Sequence, residues 1–383
     1  MTEQKQEITL ANARVVLADR VIERGFVTVA SGHIAEVGEG PRAGEDCGGD
    51  LLIPGLIELH TDHLEAHFMP RPKVYWDPVA AVVSYDSQLA VSGITTSFDS
   101  LRVWRDEDKL EEDGRAELMA QAIETARDAD LLRADHFLHL RCEVPMPWVV
   151  EDAARLVTHP DVKLISLMDH TPGQRQFRDV EKLRTYYRGR KVGFSDAQLD
   201  VFFESRVVFH QQYAAKNRRL LVELAKSHRV PLASHDDTIA EHVEEAVQDE
   251  VAIAEFPTTM EAAEGLHAAG IKVLMGAPNL VRGGSHSGNV ATVELAEAGM
   301  LDIMSSDYLP ASLLLAALRL PETVPAIGLA AAVRTVTKAP AEAVGLADRG
   351  EIAVGKRADL VRVYIGAGLP ATRAVWRAGR RVA

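Results

Sequence analysis

Eight short β-like runs, most of them separated by helical stretches, set the narrowest limit on what this chain can fold into. They read LLIPGLIELH, GITTSFDS, ADHFLHLRCE, VKLISLMDH, VPLASHDD, VAIAEFP, IKVLMGAPN and LDIMSSD. Between them lie segments such as GRAELMAQAIETARDADLL and NRRLLVELAKSH, whose apolar residues recur at about 3.6 positions, the period of one helix face. Eight βα units over about 290 residues predict an α/β fold, a (β/α)8 TIM-like barrel slightly longer than usual. The rival architecture, a doubly wound open sheet, ordinarily carries a Gly-rich phosphate loop after its first strand, and this sequence has none. Both chain ends are β-rich instead: ITLANARVVL, GFVTVA and SGHIAEVGEG at one, GEIAVGKRADLVRVYIG and ATRAVWRAGRRVA at the other. Termini often lie close together, so residues 1–53 and 346–383 are expected to form one small β-sandwich domain beside a barrel of residues 54–345.

Composition narrows the class further. With 383 residues the chain can bury a core for both units. Cys47 and Cys142 are its only cysteines and no CxxC pair exists, which excludes a disulfide scaffold and a thiolate zinc site. The polar start MTEQKQEITL lacks an apolar signal core, and no apolar run approaches the roughly 20 residues a bilayer requires. A cytoplasmic protein that does not enter a membrane is expected. A formal charge of −14 argues against nucleic acid as a partner, because a basic face is the usual footprint. It does not argue against a small anionic substrate, since a few arginines placed in a cleft override the global field. A homo-oligomer stays open.

In a (β/α)8 barrel the chemistry comes from the C-terminal ends of the strands and the loops after them. Ligand-type residues sit at those places: His60 and Asp62 end the first run, Glu143 the third, His170 the fourth, His235 the fifth and Asp307 the eighth. His60 and Asp62 are two apart and so face one side of an extended strand. A lone histidine at any one of these positions is more often structural, and Asp62 or Glu143 could simply pair with Arg141. Six such residues in register at five strand ends are hard to obtain by chance, and their nitrogen and carboxylate donors suit zinc, manganese or iron. His139 and Arg141 share strand parity with Glu143 and can face the same interior. His63 and His67 follow the first strand and can line the mouth, whereas His33, His159, His228 and His267 read as solvated.

Cations follow several of the same strand ends. PRPK supplies Arg71 and Lys73, DHTPGQRQF supplies Arg175, and VRGGSHSGN supplies Arg282 and His286. Any one of them can be an ordinary solvated loop residue. Together, over the active face of an acidic protein, they point to a polyanionic substrate, and the backbone N–H groups of GGSHSG can cradle an anionic oxygen.

LLIPGLIELHTD resembles the first barrel strand of the amidohydrolase superfamily, PG-x-[IV]-D-x-H-x-H, and GEIAVGKRADLV resembles the segment with which such chains re-enter their β domain. The resemblance implies one or two divalent metal ions that activate water. Three departures stand out: Asp62 replaces the second histidine, the sixth strand offers Glu255 where a histidine is common, and Lys163 begins its run rather than ending it. Lys163 is therefore badly placed to be the carbamylated bridging lysine of many members, which leaves Glu143 as a candidate bridge. With SLMDHTPGQRQF, LASHDD, AEFPTT, LMGAPNLVRGGSHSGN and SSDYLPASLL, these departures resemble one subgroup, the diphosphatases that act on a ribose 1-methylphosphonate 5-triphosphate in phosphonate breakdown.

That resemblance implies release of pyrophosphate from a phosphorylated sugar phosphonate. The expected division of labour has His60, Asp62, Glu143, His170, His235 and Asp307 holding metal. Asp307 also carries the proton, and Arg71, Lys73, Arg175, Arg282 and His286 neutralise phosphoryl charge. Two other readings compete: a cyclic-amide or N-acyl hydrolase on the same fold, which needs only one carboxylate-binding arginine, and a barrel scaffold without catalysis.

Overall fold

The computed structural model describes residues 7–71, 74–103, 115–178, 180–181, 183–185, 195–285 and 288–383. Lys73 and His286 lie outside the described residues.

The chain ends make one hydrogen-bonded sheet. Its strands are β1 (Glu7–Val16), β2 (Val21–Ala30), β3 (His33–Glu39), β4 (Glu45–Asp46), β5 (Leu51–Pro54), β14 (Leu360–Gly366), β15 (Leu369–Arg377) and β16 (Arg380–Arg381). They run in the order β16-β15-β14-β5-β1-β2-β3, with β4 beside β1. Most pairings are antiparallel; β1 meets β4 and β5 in parallel. Alternate residues bury a common apolar face, with Leu10, Val15, Val27, Ile34, Leu52, Leu360 and Trp376 in one cluster.

All eight runs of the middle segment form strands: β6 (Leu56–Thr61), β7 (Ile94–Val103), β8 (Asp135–Glu143), β9 (Val162–Met168), β10 (Leu232–His235), β11 (Ile253–Glu255), β12 (Lys272–Gly276) and β13 (Ile303–Ser305). Each pairs in parallel with the next, and helices cover the outside. A parallel bridge between Thr61 and Asp307 brings the last strand end to the first. Glu58 reinforces this closure: it is fully buried, accepts from the His60 backbone N–H at 2.7 Å, and accepts from that of Ser306 at 2.6 Å.

LLIPGLIELH is not one strand but two. Its first half belongs to the end-derived sheet and its second half to the barrel, with Gly55 between them. A Cβ at Gly55 would stand 2.1 Å from Thr95 Oγ1, so only glycine lets the chain pass there. Below the mouth the barrel is filled by Ile57, Leu59, Phe98, Leu164, Ala233, Ile253, Leu274 and Ile303. The barrel is therefore a packed core, and any chemistry is confined to its C-terminal rim.

Helix starts follow local chemistry. Asp77 accepts from the Ala80 N–H ahead of Pro78–Val91, and Thr259 from that of Ala262 ahead of Met260–Ala268. Helix Asp196–Phe209 runs through one π turn, His210–Ala214, into Ala215–His228. That π turn is invisible to a 3.6-residue periodicity, and it lays His210 Nδ1 2.8 Å from Asp169 Oδ2. No helix among the described residues is long and apolar enough to cross a membrane.

Candidate metal centre and active site

His60, the penultimate residue of β6, is buried in the mouth. Its ring centroid lies 5.1 Å from that of His139 and 5.4 Å from that of His235. Glu255, the last residue of β11, approaches His60 Nδ1 at 3.0 Å and His139 Nε2 at 3.7 Å with the same oxygen, Oε1. Beside this group stands a second. His235 Nδ1 is 2.9 Å from Asp236 Oδ2, and His170 Nε2 is 3.7 Å from that same oxygen. Within each triad, His60/His139/Glu255 and His170/His235/Asp236, one ligand atom per residue lies within 4.8 Å of the others.

Several of these atoms are buried without a hydrogen bond among the described residues: His60 Nδ1, His235 Nδ1, Glu255 Oε1 and both carboxylate oxygens of Asp236. A buried polar atom left unpaired ordinarily costs on the order of 1–3 kcal/mol. Five together, all nitrogen or carboxylate donors, are what a site built around a divalent cation presents. The residues present thus fit a metal centre for one or two ions.

Burial and neighbouring charges act on these groups in different directions: burial would lower the His235 ring, but Asp236 and Glu255 hold it above the usual histidine range. Burial, with the charges of Arg141 and His235, holds the His60 ring well below the usual histidine range, so it is neutral and able to donate a lone pair. Burial lowers His139 to about 3. The Asp236 carboxyl would be raised by burial, yet His235, His170 and Arg175 hold it below the ordinary range. Asp307 is pushed up to about 6 by burial and by the neighbouring charge of Asp62. Asp236 and Phe256, directly after β10 and β11, and Asp307, two residues after β13, have positive φ values of 57°, 55° and 55°. Such left-handed backbone at non-glycine residues concentrates at functional sites.

The predicted ligand residues are divided by the structure. His60, His170 and His235 enter the two triads. Glu143 instead makes a short contact to His170 Nδ1; burial alone would raise its carboxyl, but His170 and Arg141 hold it down at about 2. Asp62 pairs with Arg141, Oδ2 to Nη1 at 3.3 Å. Asp307 stands at the closure of the barrel, bridged to Thr61. Lys163 is exposed near the start of β9, away from the mouth. Three residues of the triads were outside the expected ligand set. His139 has the strand parity of Glu143, Glu255 ends the sixth strand, and Asp236 follows His235 directly. The first two carry that signal in the sequence; Asp236 has only its adjacency.

The expected substrate cations fall in different settings. Arg175 is 6% exposed and paired within the protein. It donates to the His235 carbonyl at 3.0 Å, to Asp237 Oδ1 at 2.5 Å and to Glu245 Oε2 at 3.1 Å. A loop arginine looks solvated in sequence when its partners arrive 60 or more residues later, as Asp237 and Glu245 do. Arg71 and Arg282 are exposed. His63 and His67 both place Nε2 3.0 Å from Gln88 Oε1, which accounts for them without a ligand role.

A parallel eight-stranded barrel, an end-derived antiparallel sheet and His, Asp and Glu side chains at the strand C-termini make up the fold also seen in solved amidohydrolase structures. Solved structures of the same architecture include a 5-methylcytosine deaminase from Klebsiella pneumoniae (14% identity, 98% of each chain covered, TM-score 0.65). Another is an N-acetylglucosamine-6-phosphate deacetylase from Pasteurella multocida (12% identity, 98% of this chain and 99% of that one, TM-score 0.63). No family model matches the sequence. A curated relative from Escherichia coli (strain K12), an alpha-D-ribose 1-methylphosphonate 5-triphosphate diphosphatase, is 46% identical over 376 residues, covering 97% of this chain and 99% of the relative. The chain belongs to that diphosphatase family.

Proposed function

We propose that this chain hydrolyses α-D-ribose 1-methylphosphonate 5-triphosphate to the 5-phosphate and pyrophosphate, a step of phosphonate breakdown. The observation that carries this reading is the 46% identity to the Escherichia coli diphosphatase, which runs end to end and spans every strand of the barrel.

The two triads, His60/His139/Glu255 and His170/His235/Asp236, would hold the metal, and their nitrogen and oxygen donors favour zinc, with manganese or iron as substitutes. A divalent ion there would supply Lewis acidity, which lowers the pKa of water toward about 7. Asp307 takes the proton of the attacking water and returns it to the leaving pyrophosphate, a role its place at the closing seam of the barrel supports. Glu143 fixes the His170 ring through Nδ1 and leaves Nε2 directed at Asp236. Arg175 holds the His235 carbonyl and so orients that strand end. Two buried, free cysteines support a reducing, cytoplasmic setting.

The deciding experiment follows pyrophosphate release from the ribose triphosphate by the metal-loaded protein, in parallel with cleavage of cyclic-amide and N-acyl substrates. Pyrophosphate release with no amide turnover is the expected result. Amide turnover without pyrophosphate release would replace this reading with the commoner chemistry of the fold.

A further inference from the structure

Two arginines that the loop-cation expectation passes over sit on the barrel strands themselves. Arg102 on β7 and Arg141 on β8 are register partners in the parallel ladder. Their side chains therefore leave the same face of the sheet about 4.8 Å apart, one strand spacing. Which face that is follows from the level below. Ser100 and His139 are also register partners, and the Ser100 hydroxyl lies 3.1 Å from His139 Nδ1 inside the mouth. Arg102 and Arg141 come two residues later on each strand, so they occupy the next level up on the same interior face.

Arg141 is 8% exposed. Among the described residues its ion pair is the 3.3 Å contact from Nη1 to Asp62 Oδ2, and its buried Nε–H has no hydrogen bond. A guanidinium offers five N–H donors, so most of this fork remains for another acceptor. Of the nearby carboxylates, Glu143 holds the His170 ring and Asp236 stands 2.9 Å from His235 Nδ1. A bound divalent ion would neutralise the triad carboxylates further and leave Asp62 as the carboxylate paired with Arg141. Arg102, on the solvent side, has Nη2 3.7 Å from Glu65 Oε2. Of the described loop cations, Arg175 is paired with Asp237 and Glu245, while Arg71 and Arg282 are exposed.

We propose that Arg141, assisted by Arg102, is the anion clamp of this active site and receives the phosphoryl oxygens of the attacked triphosphate through its planar fork. This rests on the diphosphatase reading above and names the residues that give it a polyphosphate substrate. A guanidinium fork matches two phosphoryl oxygens at once, and rigid strands hold it more closely than loops do.

The test uses the metal-loaded, full-length protein and inorganic tripolyphosphate as the probe, with binding read by calorimetry and metal content by elemental analysis. Arg141→Gln should keep its metal, bind tripolyphosphate at least 10-fold more weakly and lose kcat/KM for the ribose triphosphate. Arg141→Lys should recover part of the binding, because charge returns without the bidentate fork. Arg102→Gln should weaken binding less, and it carries the test alone should Arg141→Gln not fold. Unchanged tripolyphosphate affinity in the folded variants overturns the clamp. So does loss of metal in Arg141→Gln in proportion to lost binding, which would make Arg141 a positioning residue for Asp62. If the unaltered protein itself neither binds tripolyphosphate nor releases pyrophosphate, it is the diphosphatase reading that falls.

Discussion

Removing a carboxylate's charge while keeping its shape separates two jobs that Asp307 could do. Its place beside Thr61 at the barrel seam and its shift to about 6, from burial and the Asp62 charge, suit a group that accepts and returns a proton. Asp307→Asn should leave metal content largely intact and reduce kcat by at least about 10²-fold, since general acid–base help is usually worth 10²–10⁴. A variant that keeps more than about a tenth of the rate removes Asp307 from proton transfer. A second residue-level prediction concerns His136, which is buried between Asp99 (Nδ1 to Oδ2, 2.8 Å) and Asp86 (Nε2 to Oδ1, 3.3 Å). Burial would depress this ring, but the two carboxylates outweigh it and raise it to about 10. Tyr85 donates to the other Asp99 oxygen and Arg133 pairs with Asp86; burial would raise the Asp86 carboxyl, but His136 and the Ala134 and Arg133 N–H groups hold it below the ordinary range. A histidine whose folded pKa exceeds its unfolded value of about 6.5 stabilises fully below that value, and the contribution is lost as pH rises through about 10. Melting temperatures from pH 7 to 10 should therefore fall more steeply for the natural protein than for His136→Gln. One pKa unit is worth about 1.4 kcal/mol, so the difference in slope is readable, and parallel slopes would mean His136 is neutral when folded.

At the scale of elements, the strands were legible because each is a short apolar run closed by a polar residue, and the helices because their faces repeat. What escaped is whatever depends on a partner far away in sequence. Gly55 divides one apparent strand between two sheets because Thr95 stands against it. Arg175 turns inward because Asp237 and Glu245 wait there. Half of the candidate metal centre was readable as histidines at strand ends, while Glu255 and His139 joined it only once the barrel brought them beside His60. The join between barrel and end-derived sheet is of this distant kind too. Asp135, which opens β8, accepts from Arg349 at 2.6 Å, Arg357 at 2.5 Å and Arg377 at 3.3 Å, all from the far end of the chain. Arg349 and Arg357 have second partners in Asp348 and Asp359, whereas Arg377 otherwise donates to the Ala134 carbonyl. Asp135→Ala leaves three guanidinium groups crowded without their shared anion. The cost should be about 1–3 kcal/mol in urea unfolding, below the 3–5 typical of a fully buried pair because this cluster is partly solvated. A loss under about 0.5 kcal/mol would mean the joint is held by apolar packing alone.

For the whole molecule, the candidate metal centre is also a structural tie. His60 comes from β6, His139 from β8, His170 from the loop after β9, His235 from β10 and Glu255 from β11, so an ion there would bind strands from across the barrel to one another. Below the mouth these strands are cross-linked by apolar packing, but at the mouth His60, His235, Asp236 and Glu255 present buried atoms without hydrogen-bond partners among the described residues. The unfolded chain offers no such assembled site. Binding to the folded state alone stabilises by RT ln(1 + [L]/Kd), about 2.7 kcal/mol when free ion is 100 times its dissociation constant. One kcal/mol moves the melting temperature by roughly 2–4 °C in domains of 150–250 residues and by less in a longer chain. Chelation should therefore lower the melting temperature by several degrees, and added zinc or manganese should restore it along with activity. The apo protein should keep the far-ultraviolet signature of its strands and helices, because the packed interior lies beneath the site and does not depend on it. A melting curve that stays unchanged after verified metal removal would mean that the histidines and carboxylates settle into pairs of their own, and the mouth would then have to be read as a hydrogen-bonded polar core.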